Sequence, residues 1–113
     1  MTLIYKILPR AEWDEAQAKG RFEGSAVDVV DGYIHFSTAV QAPETARRYF
    51  KDLPDLIVLG VEADDLGAAL RWEPSRGGDL FPHLYGPLDC DHVLDARDAP
   101  LGDGGVPDLG DLK

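Results

Sequence analysis

The segment Leu56-Ile57-Val58-Leu59-Gly60-Val61-Glu62-Ala63 constrains the fold more than any other part of the chain. It is nearly continuous apolar sequence with β-branched residues, and it lacks polar alternation. Successive side chains of a strand point to opposite faces, so a run of this kind predicts a central strand covered on both faces. Asp64-Asp65 ends it.

The flanking sequence supplies the rest of an α+β domain. Leu3 to Leu8 is a short run of strand formers ended by Pro9. Ala11 to Lys19 follows as a helix, with acids in its first turn and a lysine in its last, which suits the helix dipole. Trp13, Ala16 and Gln17 form one face of that helix, with Trp13 as a core anchor, and Gly20 is its stop. Residues 21–31 read as a loop that is mobile or lines a cleft; within it Phe22 packs, and Val27, Val29 and Val30 form a short strand before the Asp31-Gly32 turn. Thr38-Ala39-Val40-Gln41 has a capping-box pattern, and Pro43 belongs in a first turn, so the main helix begins at 42–44. Ala46, Tyr49, Phe50 and Leu53 recur at helical spacing as its buried stripe, Arg47, Arg48 and Lys51 form a solvated side, and Pro54 ends it. Ala69 to Glu73 is a further strand. Leu80 to Leu88 carries two prolines, which argues against a regular central strand, and His92 to Ala96 is the last strand. The expected architecture is a single domain over 1–97 with a twisted, mixed or mostly antiparallel sheet and two main helices. The Gly/Asp/Pro-rich remainder, 98–113, is expected to be a flexible tail.

Composition narrows the function. The formal net charge of −10 repels a phosphate backbone, so general nucleic-acid binding is not expected, although a local cluster can still hold a small anion. No apolar run approaches the roughly 20 residues of a membrane span. The N-terminal stretch looks like a strand and lacks the layout of a secretion signal. Cys90 is the single cysteine, which excludes an intrachain disulfide and fits a cytoplasmic protein.

Two dense stretches carry residues that can do chemistry. In Gly32-Tyr33-Ile34-His35-Phe36-Ser37-Thr38, alternation puts Ile34 and Phe36 on one face and Tyr33, His35 and Ser37 on the other. His35 and Ser37 lie roughly 7 Å apart on such a strand, too far for direct base–nucleophile contact but close enough to touch one ligand. The alternative is a packed or exposed histidine followed by a helix-capping serine. In Phe81-Pro82-His83-Leu84-Tyr85-Gly86-Pro87-Leu88, a proline-stiffened loop presents His83 and Tyr85 to a ligand, or else simply covers the sheet. We expect the two stretches to meet across a cleft. Arg71, Arg76 and the Gly77-Gly78 pair could hold a phosphate or carboxylate. Phosphate-loop and dinucleotide glycine patterns are absent. No spacing among His35, His83, His92, Cys90, Asp89 and Asp91 matches a known zinc pattern, so no metal site is expected.

These motifs, with the opening Ile-Tyr-Lys-Ile strand, the Trp13 helix, Leu-Gly-Val-Glu and Arg-Trp-Glu, resemble the DUF952 family of small bacterial proteins of unknown function. The resemblance runs from Leu3 to about Ala96. That family is distantly similar to the ADP-ribosyltransferase-like fold, which implies an NAD-type cofactor or ligand. Carried over by order, the first NAD-holding position falls near Tyr5 or Lys6, the middle one at Phe36 to Thr38 with Ser37 the natural choice, and the late carboxylate near Leu88 or Asp89. No glutamate stands in the late motif; Asp89 is the carboxylate there. The expected function is recognition of a small, nucleotide- or NAD-like ligand. An enzyme would use His35 or His83 as general acid/base, with Tyr33, Ser37, Thr38 and Tyr85 orienting the ligand and Arg71 or Arg76 holding its anionic group. A binding module would use the same residues without turnover, and a regulatory or scaffold domain would use an exposed apolar surface.

Overall fold

The computed structural model describes residues 2–112, the side chain of Arg76 excepted. In chain order it contains β1 (Leu3–Pro9), α1 (Arg10–Lys19), β2 (Arg21–Phe22), α2 (Ala26–Asp31), β3 (Ile34–His35), β4 (Ser37–Thr38), α3 (Ala42–Tyr49), β5 (Leu56–Glu62), β6 (Leu70–Pro74), β7 (Leu80–Leu84), β8 (Leu88–Asp89) and β9 (Val93–Ala99). The main sheet has the order β4-β1-β5-β9, a second sheet has the order β3-β7-β6, and β2 pairs with β8. Every one of these pairings is antiparallel.

β5 is the central strand its composition predicts, and all seven of its residues are buried. It pairs with β1 along its whole length, from Leu3↔Glu62 to Pro9↔Leu56, and with β9 from Leu56↔Ala99 to Val61↔Val93. Alternation divides its side chains between two cores. Ile57, Leu59 and Val61 face Trp13 and Ala16 of α1, Phe22, and the inner side of the second sheet. Leu56 and Val58 face Ala42 and Ala46 of α3, and Leu109. The result is three layers: α1 with the second sheet, the main sheet, and α3 with the C-terminal segment.

Helix α1 ends at Gly20, whose φ of 87° lets its N–H turn back to the Ala16 carbonyl. Trp13 and Ala16 are buried, whereas Gln17 is exposed. The valines expected in a short strand lie in α2 instead. Asp28 Oδ2 accepts from the Ser25 N–H at 2.8 Å, which closes the first turn, and only Asp28 of this helix is buried. Val27, Val29 and Val30 are exposed, so their strand propensity is overruled by the cap and by the anchoring of Asp28. This short helix is a third one beside the two expected.

Thr38 and Gln41 exchange the reciprocal bonds of a capping box, at 3.0 and 3.2 Å, around the turn into α3. The buried stripe of α3 is shorter than its spacing suggests: Ala42 and Ala46 are fully buried, while Tyr49 and Leu53 are exposed because the helix stops at Tyr49. Leu80 to Leu84 does form a central strand, with β3 and β6 on either side. Pro82 is tolerated because its carbonyl, and with it the missing N–H, faces Phe36, where β3 has already ended; the Phe36 N–H still donates to that carbonyl at 3.0 Å. In the segment beyond residue 97, Asp98 and Ala99 pair with Ile57 and Leu56, and Leu109 is buried in the second core.

Candidate functional site

The site lies on the outer face of the second sheet. Register places His35 directly opposite His83, and His83 directly opposite Arg71, so one row crosses β3, β7 and β6. Alternation turns Ile34 and Leu84 inward to the core. The rings of His35 and His83 lie 5.6 Å apart, centroid to centroid. Tyr33 stacks on His83 at 4.1 Å and leans on His35 at 4.6 Å and Tyr85 at 5.2 Å. The Arg71 guanidinium rests 4.7 Å from the centroid of the Tyr85 ring and has no ion-pair partner among the described residues.

Carboxylates hold the two histidines. Glu73 Oε1 accepts from His83 Nδ1 and from the Tyr85 hydroxyl, each at 2.8 Å. The bond from His83, then that from Tyr85, keeps the Glu73 carboxyl below its ordinary range, and the bond to Glu73 raises the Tyr85 phenol. Burial raises the Tyr33 phenol, and the nearby charges of Asp31, Glu73 and Asp28 add to this. His83 is buried, yet its Nε2 has no hydrogen-bond partner among the described residues.

His35 is hydrogen-bonded to one carboxylate and lies beside a second. Its Nδ1 lies 2.6 Å from Asp28 Oδ1 and its Nε2 lies 2.9 Å from Asp31 Oδ2. Asp28 also accepts from the His35 N–H at 3.1 Å and from Lys6 Nζ, 2.8 Å from its Oδ2. Burial pushes the Asp28 carboxyl up, but the His35 bond and the Lys6 ammonium outweigh it and bring the carboxyl down to about 2. Burial likewise lowers the Lys6 ammonium, against the pull of Asp28.

Of the residues expected at the site, the structure brings together Tyr33, His35, His83, Tyr85 and Arg71. Ser37 and Thr38 are elsewhere. The chain leaves the second sheet at Phe36 and joins the main sheet at Ser37, so the alternation that linked His35 to Ser37 is broken. Ser37 is buried with its Oγ 2.9 Å from Thr45 Oγ1, and Thr38 is engaged with Gln41. The side chain of Arg76 lies outside the described part of the structure. The Gly77-Gly78 turn closes the hairpin beyond Pro74↔Leu80, three residues along β6 from Arg71. No group of three or more His, Cys, Asp or Glu side chains is arranged to hold a metal among the described residues.

Sequence reasoning missed Asp28, Asp31 and Glu73 as members of this cluster, and reached Lys6 only through the family resemblance, as the first NAD-holding position beside Tyr5. Glu73 carried a signal, since it stands two residues from Arg71 on a strand and must share its face. Asp28 carried none, because nothing local marks a carboxylate in a valine-rich segment for burial.

An open depression of about 300 Å³ adjoins the cluster beside Tyr33, between Asp28, Gly32 and the Gly86-Pro87 turn, and neither histidine lines it. Asp89 lies on a different depression, with Trp13 and Cys90, where it accepts from the Asp91 N–H at 2.9 Å. Burial, with Asp89 and Asp91 nearby, raises the Cys90 thiol. No helix among the described residues is long and apolar enough to cross a membrane.

No curated protein matches the chain. Solved structures do. The crystal structure of Protein CC0527 from Caulobacter crescentus is 57% identical, with a TM-score of 0.92, over 94% of this chain and 93% of that one. The solution NMR structure of CC0527 from the same organism is 58% identical, with a TM-score of 0.85, over 95% and 92%. The model of a family described as a protein of unknown function, DUF952, matches residues 7–96, and this chain therefore belongs to the DUF952 family.

Proposed function

We propose that the outer face of the second sheet binds a small nucleotide-like ligand, with His83 as the proton donor or acceptor. The state of His83 carries this reading. A histidine buried for packing alone normally satisfies both ring nitrogens. Here Nδ1 is fixed by Glu73, while Nε2 has no protein partner among the described residues and is open to solvent beside the stacked Tyr33 ring. The two tyrosines offer ring faces to a base or nicotinamide. Arg71 offers a guanidinium with no ion-pair partner among the described residues, close enough to Glu73 for its charge to help lower that carboxyl, and suited to a phosphate. The net charge of −10 favours a small ligand over a polymer.

NAD and ADP-ribose fall within this class. An ADP-ribosyltransferase-like arrangement is in keeping with the order β1, α1, β4 with its small polar pair Ser37-Thr38, α3, long β5 and late β9, between which β2, α2, β3 and β6 to β8 are interposed. In our reading the carboxylate near the ligand is Glu73, because Asp89 borders the other depression.

A thermal screen tests the class. NAD, ADP-ribose or a mononucleotide at millimolar concentration is expected to raise Tm by several degrees, since a ligand at 100 times its Kd stabilises the native state by about 2.7 kcal/mol. Arg71→Ala is expected to remove the rise. A flat response to all of them would sink the proposal.

A further inference from the structure

We propose that the free edge of β9 is a self-association surface, on which a second copy of this chain adds its own β9 antiparallel and joins the two main sheets into one continuous sheet. This edge belongs to the main sheet and is separate from the histidine face of the second sheet.

β9 is the last strand of the main sheet, and only β5 pairs with it. The phase of the hydrogen bonds shows which of its groups are free. The Ala63 N–H donates to the Thr2 carbonyl and the Arg10 N–H to the Asp55 carbonyl, one step beyond each end of the β1–β5 ladder. Bonded and non-bonded pairs alternate along an antiparallel ladder. Ile57, Leu59 and Val61 therefore bond to β1, while Leu56, Val58 and Gly60 bond to Ala99, Arg97 and Asp95 of β9. The N–H and C=O of Ala96 and Asp98 are left pointing away from the sheet, and no hydrogen bond among the described residues reaches them. The other edges are less suited to pairing. β3 and β4 span two residues each; on β6 the Leu70 N–H is bonded to the Gly67 carbonyl, and Pro74 has no N–H. A depression of about 460 Å³ lies between the 93–96 stretch of β9 and Trp13 and Gln17 of α1, so this part of the edge is uncovered.

Charge selects the occupant and its register. Two identical antiparallel edges meet about a two-fold axis, and outward-pointing residues must face outward-pointing residues. With Ala96 on the axis, Asp95 of each copy stands opposite Arg97 of the other, so two ion pairs flank the axis. An axis at Asp95, Arg97 or Asp98 instead sets a charge against its own copy, which is destabilising. Asp95 and Arg97 are both available for this. Arg97 reaches Asp95 Oδ2 at 2.8 Å and the Asp111 carbonyl at 3.2 Å within the chain, yet both side chains remain exposed at the strand edge. An extended basic peptide is the other occupant that Asp89, Asp91, Asp95 and Asp98 would suit, but it would lay a cation against Arg97. A second β9 brings a carboxylate to that position.

Sedimentation equilibrium of the full chain tests this. A single strand edge makes a small interface, so the mass is read from about 10 μM to about 1 mM, and it is expected to climb from 12.3 kDa toward twice that value. Ala96→Pro removes an outward N–H that β5 does not use, and is expected to keep the far-UV spectrum and Tm while losing the association. Arg97→Asp and Asp95→Arg each replace two opposite-charge pairs by two like-charge pairs, and each is expected to weaken association about tenfold or more. Mixed in equal amounts, these two variants are expected to associate again, because every facing pair is then opposite in sign. That mixture decides the matter should Ala96→Pro not fold. A parent chain that stays at 12.3 kDa throughout overturns the proposal, and an oligolysine peptide that then binds the edge would assign it to a basic partner. A dimer that survives in folded Ala96→Pro, or charge variants that do not recover on mixing, overturns it as well.

Discussion

Asp28 is where the site and the core are joined. It accepts from Ser25, His35 and Lys6, elements of three different parts of the chain. Its folded carboxyl lies at about 2 against an ordinary 3.8, so it contributes stability on the order of 2 kcal/mol. Because the folded value is the depressed one, that contribution is present above the unfolded value and is lost as pH falls through about 2. Asp28→Asn removes it and strands the Lys6 ammonium in the core, a change expected to cost about 3–5 kcal/mol at neutral pH. Urea unfolding at a series of pH values checks both effects. The native protein should lose stability on acidification more steeply than the variant; parallel curves would show that Asp28 is not the group responsible. None of this was legible in the sequence, where Asp28 stands among valines. The histidines, Tyr33, Tyr85 and Arg71 were legible, because residue type and strand alternation are local properties.

At the scale of elements, β5 behaved as its composition demanded, and the reason is visible at Gly60. Tyr5 is its partner on β1, and a Cβ at Gly60 would sit 3.4 Å from Tyr5 Cε1. Gly60→Val drives two more methyl groups toward that ring and is expected to destabilise by about 1–3 kcal/mol, read from the denaturant midpoint. A variant as stable as the parent would mean that the ring yields freely. Elements whose identity depends on partners were harder to read. α2 exists because Asp28 is anchored, and β7 is central despite Pro82 because β3 ends before the missing N–H is needed.

For the whole molecule, the second core depends on both ends of the chain. Leu109 is buried against residues of the first strand, the central strand and α3. Leu109→Ala is expected to cost about 2–5 kcal/mol, and ending the chain at Pro100 at least as much. Thermal unfolding of the two variants checks this, and an unchanged Tm in the shortened chain would show that residues beyond 100 are a loose tail after all.

Periodicity, caps and helix-breaking residues were enough to place the doubly covered strand, the Trp13 helix, the turn at Thr38 and the chemical character of the two motif stretches. These depend on neighbours a few residues away, which the chain states directly. Strand register and the passage of the chain between sheets at Phe36 depend on contacts between distant segments. They alone decided that His35 meets His83 and Asp28 rather than Ser37, and that Glu73 stands in the site while Asp89 does not.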